Sequence, residues 1–171
     1  MNARICGTGS MLPKKTVTNF DLAERMETSD EWISSRTGIR ERHIATTETT
    51  AQMATSAARK ALEEAKMQPE ELEMILVATV TADHIAPSAA CEVQAALGAV
   101  NAVAVELNAA CSGFVFALNT AQAYVRAGIY KKLLVVGVET LSKVVDWTDR
   151  STCILFGDGA GAAVLEAVEE G

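Results

Sequence analysis

The side chains able to do chemistry here are few: four cysteines, Cys6, Cys91, Cys111 and Cys153, and two histidines, His43 and His84. No CxxC pair occurs and the histidines lie far apart in sequence, so reduced thiols are expected, with neither a disulfide framework nor a metal site. What remains is sulfur as a nucleophile. In Glu106–Ala121, ELNAACSGFVFALNTA, an apolar run gives way to a small-residue helix pattern, and Cys111 falls at the junction. A helix N-terminus favours a thiolate because its unpaired N–H groups and dipole stabilise an anion. Gly113 lets neighbouring backbone approach closely, and Ala109 and Ala110 leave the entrance unobstructed. The strand-turn-helix logic is that of a nucleophile elbow, with a different glycine spacing from the serine hydrolases. Cys6 and Cys153 read as strand residues, and Cys91 as a small buried hydrophobe within a helix. On the residues alone Cys111 has two readings, nucleophile or core filler.

Two further groupings carry chemical possibilities. Trp32 and Arg36 stand four residues apart in a helical stretch and share a face, where the tryptophan could equally anchor its helix in the core. Gly157-Asp-Gly-Ala-Gly-Ala162 satisfies the spacing of a dinucleotide-binding loop, but no polar-periodic helix follows it. It is read as a glycine-rich turn between two strands.

The elements that must position these residues alternate. Residues 3–12 read as a strand, Asn19 as the cap of a short helix from Phe20 to Met26, and Thr28-Ser-Asp-Glu31 as a capping box opening a helix that stops at Gly38. Thr50–Lys66 shows apolar positions at helical spacing, ended before Pro69. Met74–Val80 and Ala102–Leu107 are apolar runs of buried-strand length, joined by a helix over 88–97 with Pro87 at its first position and Gly98 closing it. Ser112–Ala127 reads as a helix, Lys132–Val138 as a strand, and Cys153–Phe156 and Ala162–Ala167 as strands flanking the glycines. Strand and helix in alternation specify a layered α/β fold with parallel pairing.

Length and charge bound the rest. The chain has 171 residues, 49% of them hydrophobic, enough for one substantial core in one domain spanning 1–171. A net charge of −7 has the wrong sign for a general nucleic-acid binder. The apolar runs are too short to span a bilayer and the start lacks a signal-peptide core, so a cytoplasmic protein is expected.

Six separated stretches resemble the N-terminal half of the beta-ketoacyl-[acyl-carrier-protein] synthase III family, condensing enzymes of the thiolase superfamily. They are Gly7-Thr-Gly-Ser10, Thr28-Ser-Asp-Glu-Trp-Ile33, Arg36–Ala45 (RTGIRERHIA), Pro87-Ser-Ala-Ala-Cys91, Ala109-Ala-Cys-Ser-Gly-Phe114 and Phe156–Ala163 (FGDGAGAA), in the family's order along the whole chain. The resemblance implies a thiolase-like layered α/β fold, a mostly parallel mixed sheet covered by helices, with this chain as one of two duplicated halves. It makes Cys111 the nucleophile that takes an acyl group from acyl-CoA. Malonyl-[acyl-carrier-protein] then condenses with it by decarboxylation, helped by a histidine and an asparagine of the C-terminal half. His43 and His84 match no catalytic position and are read as structural. By the same resemblance Trp32 and Arg150 sandwich the adenine of CoA, Thr28 contacts the base and Arg36 meets phosphate. Ala86 replaces a bulky aromatic that bounds the acyl pocket across a dimer, so primers longer than acetyl are expected. CoA thioester is a substrate, and no cofactor is implied. This half alone is expected to be inactive in condensation, and the complete enzyme to be a homodimer. Two other readings remain: a condensing enzyme of polyketide or specialised lipid assembly, and a non-catalytic scaffold, against which an intact Cys111 argues.

Overall fold

The apolar run beginning at Met74 becomes a strand with every residue buried, and the rest of the chain is arranged around it. The computed structural model describes residues 1–169; Glu170 and Gly171, the end of the span assigned to the domain, lie outside the described residues. In chain order the strands are β1 (Asn2–Met11), β2 (Lys15–Thr18), β3 (Glu41–Ile44), β4 (Met74–Ala78), β5 (Val103–Leu107), β6 (Lys132–Thr140) and β7 (Asp158–Val168). The helices are α1 (Asn19–Ala23), α2 (Asp30–Thr37), α3 (Thr50–Ala65), α4 (Ala89–Leu97), α5 (Gly113–Arg126) and α6 (Arg150–Cys153).

Five strands form a mixed sheet in the order β1-β7-β6-β4-β5, and β2 and β3 form a separate hairpin. β4 pairs parallel with β5 and β6, which requires the crossover helices α4 and α5. β7 runs antiparallel between β6 and β1. Side chains alternate across the sheet. Ile75, Val77, Leu134, Val136 and Val164 pack under α3 and α4, while Met74, Leu76, Leu133, Val135 and Leu165 pack against α5. The alanine stripe of α3 lies so close to β1 that a Cβ on Gly7 or Gly9 would land on the carbonyl oxygen of Ala61 or Ala57. A third cluster, Val17, Leu22, Ile33, Ile44, Cys153 and Ile154, ties the hairpin to α1, α2 and α6.

Several local expectations are corrected. Ser29, not Thr28, caps α2: its side chain accepts from the Trp32 N–H at 3.1 Å, which leaves Glu31 one position too early to close a capping box. Thr18 caps α1 in a reciprocal box with Asp21, and Asn19 is instead fully buried. Pro87 precedes the cap Ser88 of α4 rather than occupying its first turn. β5 is an edge strand, and Val103 and Val105 are substantially exposed rather than buried. Residues 153–156 form the end of α6 and a turn, and the glycines from Gly159 onward lie inside β7. Glycine serves close packing there: a Cβ on Gly159 would stand 3.0 Å from Leu12 Cδ2.

Candidate active site

Cys111 sits just past the carboxyl end of β5, in a single 3-10 turn, Ala110–Ser112, that runs directly into α5. Ala110, immediately before it, has φ +47. A left-handed conformation costs a residue with a Cβ about 1–2 kcal/mol, and such strain concentrates where a side chain must be aimed. Gly113 brings the start of α5 onto β4; a Cβ there would stand 3.1 Å from Ala78 Cβ. The thiol is therefore held over the carboxyl ends of the parallel strands β4 and β6, the usual location of ligand sites in open α/β sheets. Cys111 is exposed and lines a cavity of about 380 Å³ with Ala78, Phe114, Gly137, Glu139, Gly159 and Gly161. No acceptor among the described residues meets the Cys111 N–H, which remains a free donor at the site.

Glu139 is a cavity residue that the sequence did not single out. Its carboxylate accepts from the Val80 N–H at 2.9 Å and from the hydroxyls of Thr81 and Thr79, holding the loop after β4 against the end of β6. Its position near the carboxyl end of a buried strand was the available signal.

The other thiols stand apart from this cavity. Cys153 is buried at the end of α6 with Sγ 3.6 Å from Met26 Sδ, and burial followed by the nearby Asp149 charge pushes its pKa up. Cys6 is half-buried in β1, donates to the Val164 carbonyl, and is likewise raised by burial and then by Glu166. Cys91 is exposed on α4 rather than buried; the buried positions of that helix are Ala89, Ala90, Val93 and Leu97. No histidine lines the Cys111 cavity. His43 in β3 bonds the Pro13 carbonyl through Nδ1 at 2.7 Å, and the exposed His84 lies 3.8 Å from Glu92. Among the described residues, no group of three potential metal ligands occurs, and no helix is long and apolar enough to cross a membrane.

A second constellation gathers the aromatic and basic residues. Trp32 is half-buried on the third apolar cluster, and the guanidinium carbons of Arg36 and Arg150 each lie 4.5 Å from the centre of its ring. Arg36 shares α2 with Trp32, whereas Arg150 arrives on α6 and is anchored by donating to the Glu27 carbonyl at 2.7 Å. Next to Glu27, the Thr28 hydroxyl is buried and has no hydrogen-bond partner. A buried unpaired hydroxyl costs about 1–3 kcal/mol, which a ligand atom would recover. An indole with two guanidinium groups resting on it suits a planar aromatic ligand carrying negative charge once a guanidinium moves aside to admit it. The structure thus brings Thr28, Trp32, Arg36 and Arg150 together. Ala86 is exposed in the loop between β4 and α4 and does not line the Cys111 cavity within this chain.

Known proteins resemble this chain along nearly its whole length. The family described as 3-oxoacyl-[acyl-carrier-protein] synthase III matches residues 105–171, which include Cys111 and the glycines of β7. A beta-ketoacyl-[acyl-carrier-protein] synthase III of Caldanaerobacter subterraneus is 56% identical over 170 residues, covering 99% of this chain and 51% of that protein. Along nearly its whole length the chain is similar to beta-ketoacyl-[acyl-carrier-protein] synthase III proteins. The synthase III of Streptococcus suis is 59% identical over 169 residues, covering 52% of its length. The crystal structure of the Aquifex aeolicus synthase III superposes with a TM-score of 0.97 at 54% identity, over 98% of this chain and 55% of that one. The priming beta-ketosynthase of the R1128 polyketide pathway superposes at 0.95 with 40% identity, over 98% of this chain and 51% of that one. The chain spans about half the length of the curated synthase III relatives it matches.

Proposed function

We propose that this chain supplies the acyl-accepting part of an acyltransferase that starts fatty acid synthesis. The observation that carries the reading is Cys111, aimed by the strained Ala110 turn into a cavity at the start of α5. The thiolate attacks the carbonyl carbon of an acyl-CoA, the bond from that carbon to the CoA sulfur breaks, and CoA leaves as the thiolate. The acyl group remains as a thioester on Cys111. The free Cys111 N–H is placed to stabilise the oxyanion of this step. Trp32 and Arg150 hold the adenine, Arg36 a phosphate, and the unpaired Thr28 hydroxyl an atom of the base. CoA is a substrate here.

In the second half-reaction malonyl-[acyl-carrier-protein] loses carbon dioxide. The resulting carbanion attacks the thioester carbon and expels the Cys111 thiolate, giving a 3-oxoacyl-[acyl-carrier-protein]. The histidine and asparagine of that step come from a C-terminal segment beyond these residues, and the working enzyme is a cytoplasmic homodimer. Support for this division comes from the relatives, about half of whose length this chain covers. The test is product formation by the protein together with that segment, from acyl-CoA and malonyl-[acyl-carrier-protein]. Failure to form a 3-oxoacyl carrier product would sink the reading.

A second reading, priming of polyketide or other specialised lipid assembly, is favoured by the likeness to the R1128 priming ketosynthase. Competition between fatty acid and polyketide malonyl-carrier proteins separates the two.

A further inference from the structure

Trp32, Arg36 and Arg150 ride on two helices, α2 and α6, that are held over the β2-β3 hairpin. A polar chain runs through this small apolar cluster. Arg42 of β3 is 5% exposed; its Nη1 donates to the Val17 carbonyl at 3.0 Å, and its Nη2 donates to Asn19 Oδ1 at 2.8 Å and to the Ile154 carbonyl at 3.2 Å. Asn19 is fully buried, and its Nδ2 donates to Asp30 Oδ1 at 2.8 Å and to the Ile39 carbonyl at 2.8 Å.

These contacts fall at particular places. Ile154 directly follows α6, Asp30 is the first residue of α2, and Ile39 follows the Gly38 that closes α2. One guanidinium and one amide therefore grip both ends of α2, the carboxyl end of α6 and both strands of the hairpin. The amide cannot be reversed without setting its NH2 against the guanidinium, so its orientation is fixed by its neighbours. A buried cation is costly unless compensated, and here the compensating carboxylate, Asp30, is reached through the amide.

We infer that Arg42 and Asn19 are positioning residues for the coenzyme clamp: they set the spacing between α2 and α6, and so the placement of Arg150 against Trp32. The inference rests on the coenzyme-site reading given above. Neither residue touches the ligand. Their substitution acts on affinity through the disposition of the two helices.

The test is titration of coenzyme A into the purified protein, together with the emission of Trp32 recorded in a Trp147→Phe background. Asn19→Asp keeps an acceptor for Arg42 but loses the donor to Asp30 and adds a like charge. It is expected to weaken CoA binding about ten-fold and to shift Trp32 emission to the red, while alkylation of Cys111 by iodoacetamide proceeds at the wild-type rate. In the double variant Asn19→Asp/Asp30→Asn the amide introduced at position 30 can donate to the new carboxylate, so most of the lost affinity returns. Asp30→Ala, at a partly exposed position, reads the same link should Asn19→Asp fail to fold. Wild-type affinity and unchanged Trp32 emission in a folded Asn19→Asp or Asp30→Ala variant would overturn the inference, as would a double variant no better than the single one. If Trp32→Ala and Arg150→Ala also leave CoA affinity unchanged, the coenzyme-site reading itself has failed. If those two weaken binding while Asn19→Asp and Asp30→Ala do not, the positioning role alone is wrong.

Discussion

The Arg150 guanidinium carbon lies 4.5 Å from the centre of the Trp32 ring, and Arg36, one helical turn beyond Trp32, lies equally close. In the free protein the two guanidinium groups therefore rest on the indole itself, and Arg150 must swing outward for a base to stack between it and Trp32. Arg150→Ala is expected to weaken CoA binding about ten-fold, measured by calorimetry. Arg150→Lys should recover only part of this, because an ammonium has neither the planar stacking surface nor the fork of a guanidinium. Full recovery by lysine would reduce the interaction to simple charge.

Packing of α3 on β1 depends on the missing side chain at Gly9. A methyl group there meets the Ala57 carbonyl oxygen and the α3 backbone, atoms that cannot rotate away. Gly9→Ala should cost about 2–3 kcal/mol and lower the thermal midpoint accordingly. Gly161→Ala has open space around its new Cβ and should stay within about 0.5 kcal/mol of wild type. Equal melting of the two variants would contradict this account of the contact.

Acid should loosen the segment before α3. The Thr46 N–H, with the N–H groups of Glu48 itself and Thr47, holds the Glu48 carboxyl at a pKa of about 2, below its ordinary 4.5. Because the folded value is the lower one, the stabilisation is fully present above the unfolded value and is lost as pH falls through about 2. Between those limits the melting temperature of the wild type should fall more steeply with acid than that of Glu48→Gln. Parallel profiles would show that Glu48 contributes nothing to acid sensitivity.

Ala86 is exposed in its loop, so any effect on the acyl pocket must act from outside the lining of the Cys111 cavity in the same chain. Ala86→Phe is expected to reduce Cys111 acylation by four- to eight-carbon acyl-CoAs relative to acetyl-CoA, judged by competition between primers. An unchanged chain-length profile would remove Ala86 from the specificity argument.

The features readable in the sequence were those fixed by local pattern. The uninterrupted apolar run from Met74 read as a strand covered on both faces, and the seam at Cys111 announced a turn into a helix. Trp32 and Arg36 could be paired from their spacing, whereas Arg150 entered only through family resemblance, since the fold alone brings α6 to α2. The glycines after Phe156 were misread because glycine signals both a turn and close packing, and paired strands on both sides of β7 select the second meaning. Asn19 looked like a helix cap because Asn often is one; its actual partners, Arg42 and Asp30, are distant in sequence. Glu139 carried no motif beyond its place near the carboxyl end of a strand, and the sheet order brings it to the Cys111 cavity.

The central claim is that Cys111 is the acyl acceptor. It is tested most directly by intact-mass and peptide spectrometry after incubation with acyl-CoA, with the C-terminal segment present, for the wild type and Cys111→Ala. One acyl group on the Cys111 peptide, absent from Cys111→Ala, is the predicted result. Acylation that persists in Cys111→Ala, or a wild-type protein left unmodified at Cys111, would contradict it.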